Sequence, residues 1–289
     1  MKKVKLTMLN AMADKDFDKA LFRQQEWNIN FLDMKDNIFG KSIIDLTDEE
    51  ATEAAKMIKG KNMSVYCFSS VLFYEDIEIG EREFRIRSID KLDRLLEIAQ
   101  ILQPRIIRLL AARSGKRKEF TDIIPYLRQS FQWLIPMYRE AVEKIHRSGF
   151  GTTIENEAHD CIFSTPAEIL EFFKELDCGD KVSFTYDIQN LWQMGTFPTV
   201  ESYRKLAGIT GYFHLKGGKC DGGTELVWSS ALDDASWPVK EIVRLAVTEE
   251  ISPFFCLNSS HGKRLPGYNY DNITRRDIDY LRRNFPEIE

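Results

Sequence analysis

Four polar residues close four consecutive short runs of β-branched and aromatic residues in the second half of this chain: Glu155, Asp187, His214 and Asn258. If each run is a strand of one parallel sheet, these side chains meet where the strands end. Two carboxylates and an imidazole directed at one point suit a divalent cation, oxygen donors favouring Mn²⁺ or Mg²⁺ and the imidazole admitting Zn²⁺. Taken singly, Asp187 reads equally well as a helix cap and His214 as a hydrogen-bonded core residue. Their coincidence at the ends of neighbouring runs favours a shared site.

Residues two apart on a strand share a face, so Glu157 accompanies Glu155 and Lys216 accompanies His214. Lys216 is suited to hold a carboxylate, phosphate or hydroxyl group or to donate a proton; its bland alternative is a solvated cation at a strand end. Arg108 lies inside a run, where an arginine needs carboxylate partners to offset its desolvation, and it reads as structural first. The glycine-rich stretch 217–223 has the composition to turn backbone N–H groups toward an anion, or to form a ligand-free flexible loop. Trp192, Phe197, Trp228 and Trp237 fall in loops or at helix starts, as walls for the apolar face of a sugar or as packing lids. His146 reads as solvent-facing, while His159 and His261 fall in loops, His261 being the better placed to reach the same mouth.

The elements that must position these groups alternate along the whole chain. Strands are expected at 4–9, 29–33, 63–68, 106–110, 152–155, 182–187, 209–215 and 253–257. Amphipathic stretches separate them. Thr47-Asp48-Glu49-Glu50 is a capping box opening a helix that ends near Gly60, and Ser164-Thr165-Pro166 combines a cap with a proline in the first turn. One helix is expected over 84–102 before Pro104, another over 124–146 with a kink at Pro136 and Gly149 as its cap, and others at 16–27, 200–206, 238–247 and 271–285. Eight strand–helix units in 289 residues predict a single (β/α)8 TIM barrel over 1–289, with the segment 217–237 as a loop over the active face.

Composition narrows the function. Five scattered cysteines without a CxxC pair oppose both a disulfide framework and a cysteine zinc site. A net charge of −5 without a basic stripe disfavours nucleic acid. No stretch approaches the roughly 18 unbroken apolar residues of a membrane span, and the polar start Met1-Lys2-Lys3-Val4-Lys5 lacks the apolar segment of a secretory signal, so a cytoplasmic protein with no membrane partner is expected.

The strand-end residues resemble the xylose isomerase-like TIM barrels of the sugar phosphate isomerase/epimerase superfamily. Thr153-Ile154-Glu155-Asn156, Asp187-Ile188-Gln189-Asn190 followed by Gly195, and His214-Leu215-Lys216 match the motifs of strands five, six and seven in order. The resemblance implies that Glu155, Asp187 and His214 bind a divalent metal (Mn, Mg or Zn). It also implies that Lys216 contacts substrate; Asn190, Trp192, Asn258 and His261 are expected to complete the substrate-binding set. Leu257-Asn258-Ser259-Ser260-His261 stands where the family places a strand-eight glutamate, so the metal is expected to be weakly held or absent. The expectation is a metal-assisted isomerase or epimerase of a sugar or sugar phosphate, with Glu155 as base and Lys216 as proton donor or orienting group, in a chain that admits a homo-oligomer. The alternative is a non-catalytic carbohydrate-binding barrel. A DNA-repair nuclease of the same fold needs several metals, and the four histidines, none on strands one to four, do not supply the ligands.

Overall fold

Strands with apolar side chains on both faces belong in a parallel sheet whose faces are both covered. Runs such as Ile106-Ile107-Arg108-Leu109-Leu110 and Phe254-Phe255-Cys256-Leu257 meet that description, and a computed structural model, which describes residues 2–259 and 262–289, closes them into a barrel. The strands are β1 (Lys5–Leu9), β2 (Phe31–Met34), β3 (Ser64–Ser69), β4 (Ile106–Leu110), β5 (Gly151–Glu155), β6 (Val182–Asp187), β7 (Thr210–Leu215) and β8 (Phe254–Leu257). Each pairs in parallel with the next, and β8 pairs with β1. All eight expected strands are present, and the chain is a (β/α)8 TIM barrel.

The helices follow the cap signals. Thr47 and Thr165 each form a full capping box, with Glu50 and Glu168, and Pro166 occupies the first helical position, where its missing N–H costs no bond. Two helical expectations need correction. The segment 124–146 is two helices, Ile124–Ser130 and Leu134–Arg147, and Pro136 produces no kink because it lies in the first turn of the second. The helix at 84–102 is interrupted by a π-turn at Ile86–Asp90.

The barrel interior is layered. At its N-terminal end Tyr66 stacks on Phe254 at 3.9 Å and meets Tyr212 edge-on at 5.1 Å, while Phe31 packs edge-on against Phe254 at 4.8 Å. This aromatic plug closes the bottom. Polar side chains fill the upper layers, because register sets Asp187 beside His214 and His214 beside Cys256 on successive strands, and Leu110 beside Glu155.

In the 217–237 loop the first two glycines serve close packing rather than an anion cradle. A Cβ on Gly217 would lie 2.0 Å from the Ser230 carbonyl oxygen, and one on Gly218 would lie 2.7 Å from the Trp192 ring.

Candidate active site

Asp187 ends β6 and caps the short helix Ile188–Gln193, its Oδ1 accepting from Asn190 N at 2.9 Å. The cap reading and the site reading therefore hold together: one carboxylate oxygen anchors the helix while the other, Oδ2, faces His214 and Lys216. Asn156, immediately after Glu155, locks the two strand ends by donating to the Asp187 carbonyl at 2.9 Å and accepting from the Asp187 N–H at 3.0 Å. Asn190 donates to the Asn156 carbonyl at 3.1 Å, so strands five and six present their carboxylates as one rigid unit.

His214 turns Nδ1 toward these carboxylates, 3.0 Å from Glu155 Oε1 and 3.5 Å from Asp187 Oδ2. The Asn258 amide nitrogen stands 3.5 Å from the same atom. Lys216 Nζ lies 2.6 Å from Asp187 Oδ2 and 3.3 Å from Asn190 Oδ1. All of these residues are buried. The structure thus brings together Glu155, Asp187, His214, Lys216, Asn190 and Asn258. His261 lies outside the described residues.

Charges compensate closely in this buried space. Arg108 pairs with Glu155 Oε2 and donates from its other nitrogen to the Ser69 and Ser70 carbonyls, both at 2.9 Å. Burial would push the Glu155 carboxyl up, but Arg108 and then His214 outweigh it and hold it well below the usual carboxylate range. Burial would likewise lower His214, yet the carboxylates of Glu155 and Asp187 raise it to about 9. Desolvation opposes the Lys216 charge, and Asp187 followed by Glu155 overcomes it and raises its pKa. Glu157 behaves oppositely: burial and then repulsion from Glu155 raise it.

Two donor atoms each about 2.1 Å from one cation are separated by about 3.0 Å at a right angle and about 3.4 Å at the tetrahedral angle. The separations from His214 Nδ1 to Glu155 and Asp187 match those spacings, so the geometry fits a divalent ion. The charge balance fits less well, since Arg108 and Lys216 already answer both carboxylates and Asn258 adds none.

Asp33, at the end of β2, was not among the expected site residues. Its Oδ2 accepts from Tyr212 at 3.0 Å and lies 3.6 Å from Cys256 Sγ and 3.8 Å from His214 Nε2. The signal that marked Glu155 and Asp187, an acid closing an apolar run, was present at Phe31-Leu32-Asp33 as well. Trp192 lies to one side, on a groove of about 820 Å³ bordered by Arg117, Phe120, His159 and Leu226. Trp237 donates to the Lys216 carbonyl at 3.1 Å, a packing role that fixes the end of β7. His146 is exposed on its helix.

No curated protein sequence matches the chain. Solved structures do. A xylose isomerase-like TIM barrel protein from Mycobacterium smegmatis in complex with magnesium superposes with a TM-score of 0.67 at 16% identity, covering 98% of this chain and 96% of its own. D-psicose 3-epimerase in the presence of D-fructose gives 0.70 at 13% identity, covering 96% and 98%. The apo form of 3-keto-D-glucoside 4-epimerase from E. coli gives 0.69 at 14% identity, covering 97% and 100%. At these identities the likeness establishes the fold. The sequence itself matches a family model over residues 27–242, three quarters of the chain, and by that match the protein belongs to the xylose isomerase-like TIM barrel family.

Proposed function

We propose that this protein is a sugar-modifying enzyme, an isomerase or epimerase of a sugar or sugar phosphate, that removes a proton from the carbon next to a carbonyl. The observation that carries the reading is the convergence of Glu155 and Asp187 on His214 Nδ1, with Lys216 against the same carboxylate. Structural similarity to sugar epimerases supports it.

Glu155, Asp187 and His214 are the residues that would hold a divalent ion, Mn²⁺ or Mg²⁺ by their oxygen-rich set, with the Asn258 amide beside them. Such an ion supplies Lewis acidity toward a substrate carbonyl. Glu155, kept ionised by Arg108, takes the proton from carbon. Lys216 binds a substrate hydroxyl and returns a proton to the opposite end of the reacting pair. Asn190 orients Lys216, and Trp192 meets the part of the sugar that extends toward the groove. An amide is too weakly basic to take a proton at neutral pH, so Asn258 leaves the site with one carboxylate base, and 1,2-isomerisation is favoured over two-base epimerisation.

The charge balance favours a second reading, a barrel that binds carbohydrate without turning it over, because both carboxylates already have fixed cationic partners. Incubating the protein with Mn²⁺ and a panel of ketoses in D₂O separates the two. Deuterium appearing at the carbon next to the carbonyl, and lost in Glu155→Gln, is the expected result; saturable binding with no exchange for any ketose establishes the binding barrel instead.

A further inference from the structure

His214 has a second face. Its Nε2 is buried, has no hydrogen-bond partner among the described residues, and points away from Glu155 and Asp187 toward Asp33 Oδ2 at 3.8 Å. Cys256 Sγ lies 3.6 Å from that oxygen, and the three donor atoms fall within 4.8 Å of one another. Asp33 Oδ1 is likewise buried and unpartnered. Three atoms with these separations surround a point roughly 2.2–2.4 Å from each, the reach of zinc to nitrogen, oxygen and sulfur.

We infer that Asp33, His214 Nε2 and Cys256 form a second cation site, deeper in the barrel than the Glu155–Asp187 set and selective for a thiophilic divalent ion such as Zn²⁺ or Co²⁺. The donor chemistry divides the two sites: thiolate and imidazole below select the softer ion, and carboxylates with an amide above select Mn²⁺ or Mg²⁺. As the sulfur–metal bond forms, Cys256 gives up its thiol proton to solvent. Tyr212, donating to Asp33 at 3.0 Å, fixes the carboxylate that completes the triangle. A neutral imidazole has one lone pair, so His214 serves one ion at a time, and the identity of the bound metal decides which face is used. Zinc in the lower site thereby disables the upper one without touching Glu155 or Asp187.

Cobalt supplies the test, since a thiolate ligand gives Co²⁺ a near-ultraviolet charge-transfer band that oxygen and nitrogen ligands do not. Metal-stripped protein titrated with Co²⁺ should develop that band at one equivalent. Cys256→Ser and Cys256→Ala should abolish it, Asp33→Asn should weaken Co²⁺ binding at least tenfold, and Glu155→Gln should leave the band in place. Zn²⁺ should displace Mn²⁺, read by the Mn²⁺ paramagnetic resonance signal, at a markedly lower concentration from wild type than from Cys256→Ser. Absence of the band in wild type, or its persistence in both folded Cys256 variants, overturns the assignment. The lower site does not depend on the proposed activity: a protein that gives the cobalt band and binds no Mn²⁺ retains this site and loses that reading.

Discussion

Arg108 on β4 holds Glu155 on β5 through a buried ion pair, the two side chains being 4% and 2% exposed. Removing one partner of such a pair strands the other charge in a low-dielectric interior, at a cost of about 3–5 kcal/mol, whereas removing both relieves much of the penalty. Arg108→Met should therefore lower the unfolding free energy by about that amount, and Arg108→Met/Glu155→Gln should recover more than half of it. Urea denaturation of the three proteins measures the difference. Equal losses in the single and double variants would show that Glu155 is held by His214 instead.

Lys216 sits 2.6 Å from the Asp187 oxygen that also faces His214, so its ammonium competes with a metal for the same atom. Lys216→Met should bind Mn²⁺ about tenfold more tightly by calorimetry while losing affinity for ketoses. A parallel fall in both affinities would assign Lys216 to holding the site together.

Asn258 stands beside His214 where the resemblance implies a glutamate. Asn258→Glu places an anionic oxygen where the Asn258 amide now stands 3.5 Å from His214 Nδ1, and in a site proposed to bind cations through oxygen charge it should tighten Mn²⁺ binding by one to two orders of magnitude. If the restored carboxylate is also the missing second base, C3 inversion of a ketose appears in this variant and not in wild type. Efficient C3 inversion by the wild type would place the second base elsewhere.

Asp277 gives the fold a pH dependence away from the reaction. It is buried, accepts from Ser259 Oγ at 2.6 Å and from Leu232 N at 2.7 Å, and burial outweighs both bonds to push its carboxyl up to about 7. The folded state thus keeps this proton up to pH 7, whereas the unfolded chain releases it near pH 4, so stability falls as pH rises through that interval and levels off above it. The loss is on the order of 3–4 kcal/mol. Asp277→Asn, which keeps a carbonyl for Leu232 and an amide for Ser259, should lose less stability between pH 4.5 and 8 than wild type. Identical pH profiles for the two proteins would show that Asp277 is ionised in the native state.

What could be read from the sequence was what local pattern determines. Apolar runs, caps and strand-end acids are properties of neighbouring residues, and they placed all eight strands together with Glu155, Asp187, His214 and Lys216 at one end of the barrel. The setting of Asp33 was not legible in that way, because Tyr212 and Cys256 are 179 and 223 residues distant and meet it only across the closed sheet. Asn156 was visible as part of a motif, but its two bonds to the Asp187 backbone depend on the stagger between β5 and β6. Pro136 misled for the opposite reason: a proline in a long helical pattern reads as a kink until the break in the helix at 131–133 shows that the second helix starts just before it.

The stack of Phe31, Tyr66, Tyr212 and Phe254 makes the barrel a vessel with one opening. Whatever reaches His214 arrives past the same loops by which everything else must leave, and occupants therefore queue in order of depth. An ion on either face of His214 has to load before a sugar settles above it; departure runs in reverse. A sugar bound at the mouth should consequently trap the metal beneath it and slow its removal by a chelator, turning the bottom seal of the fold into a rule of sequence for the top.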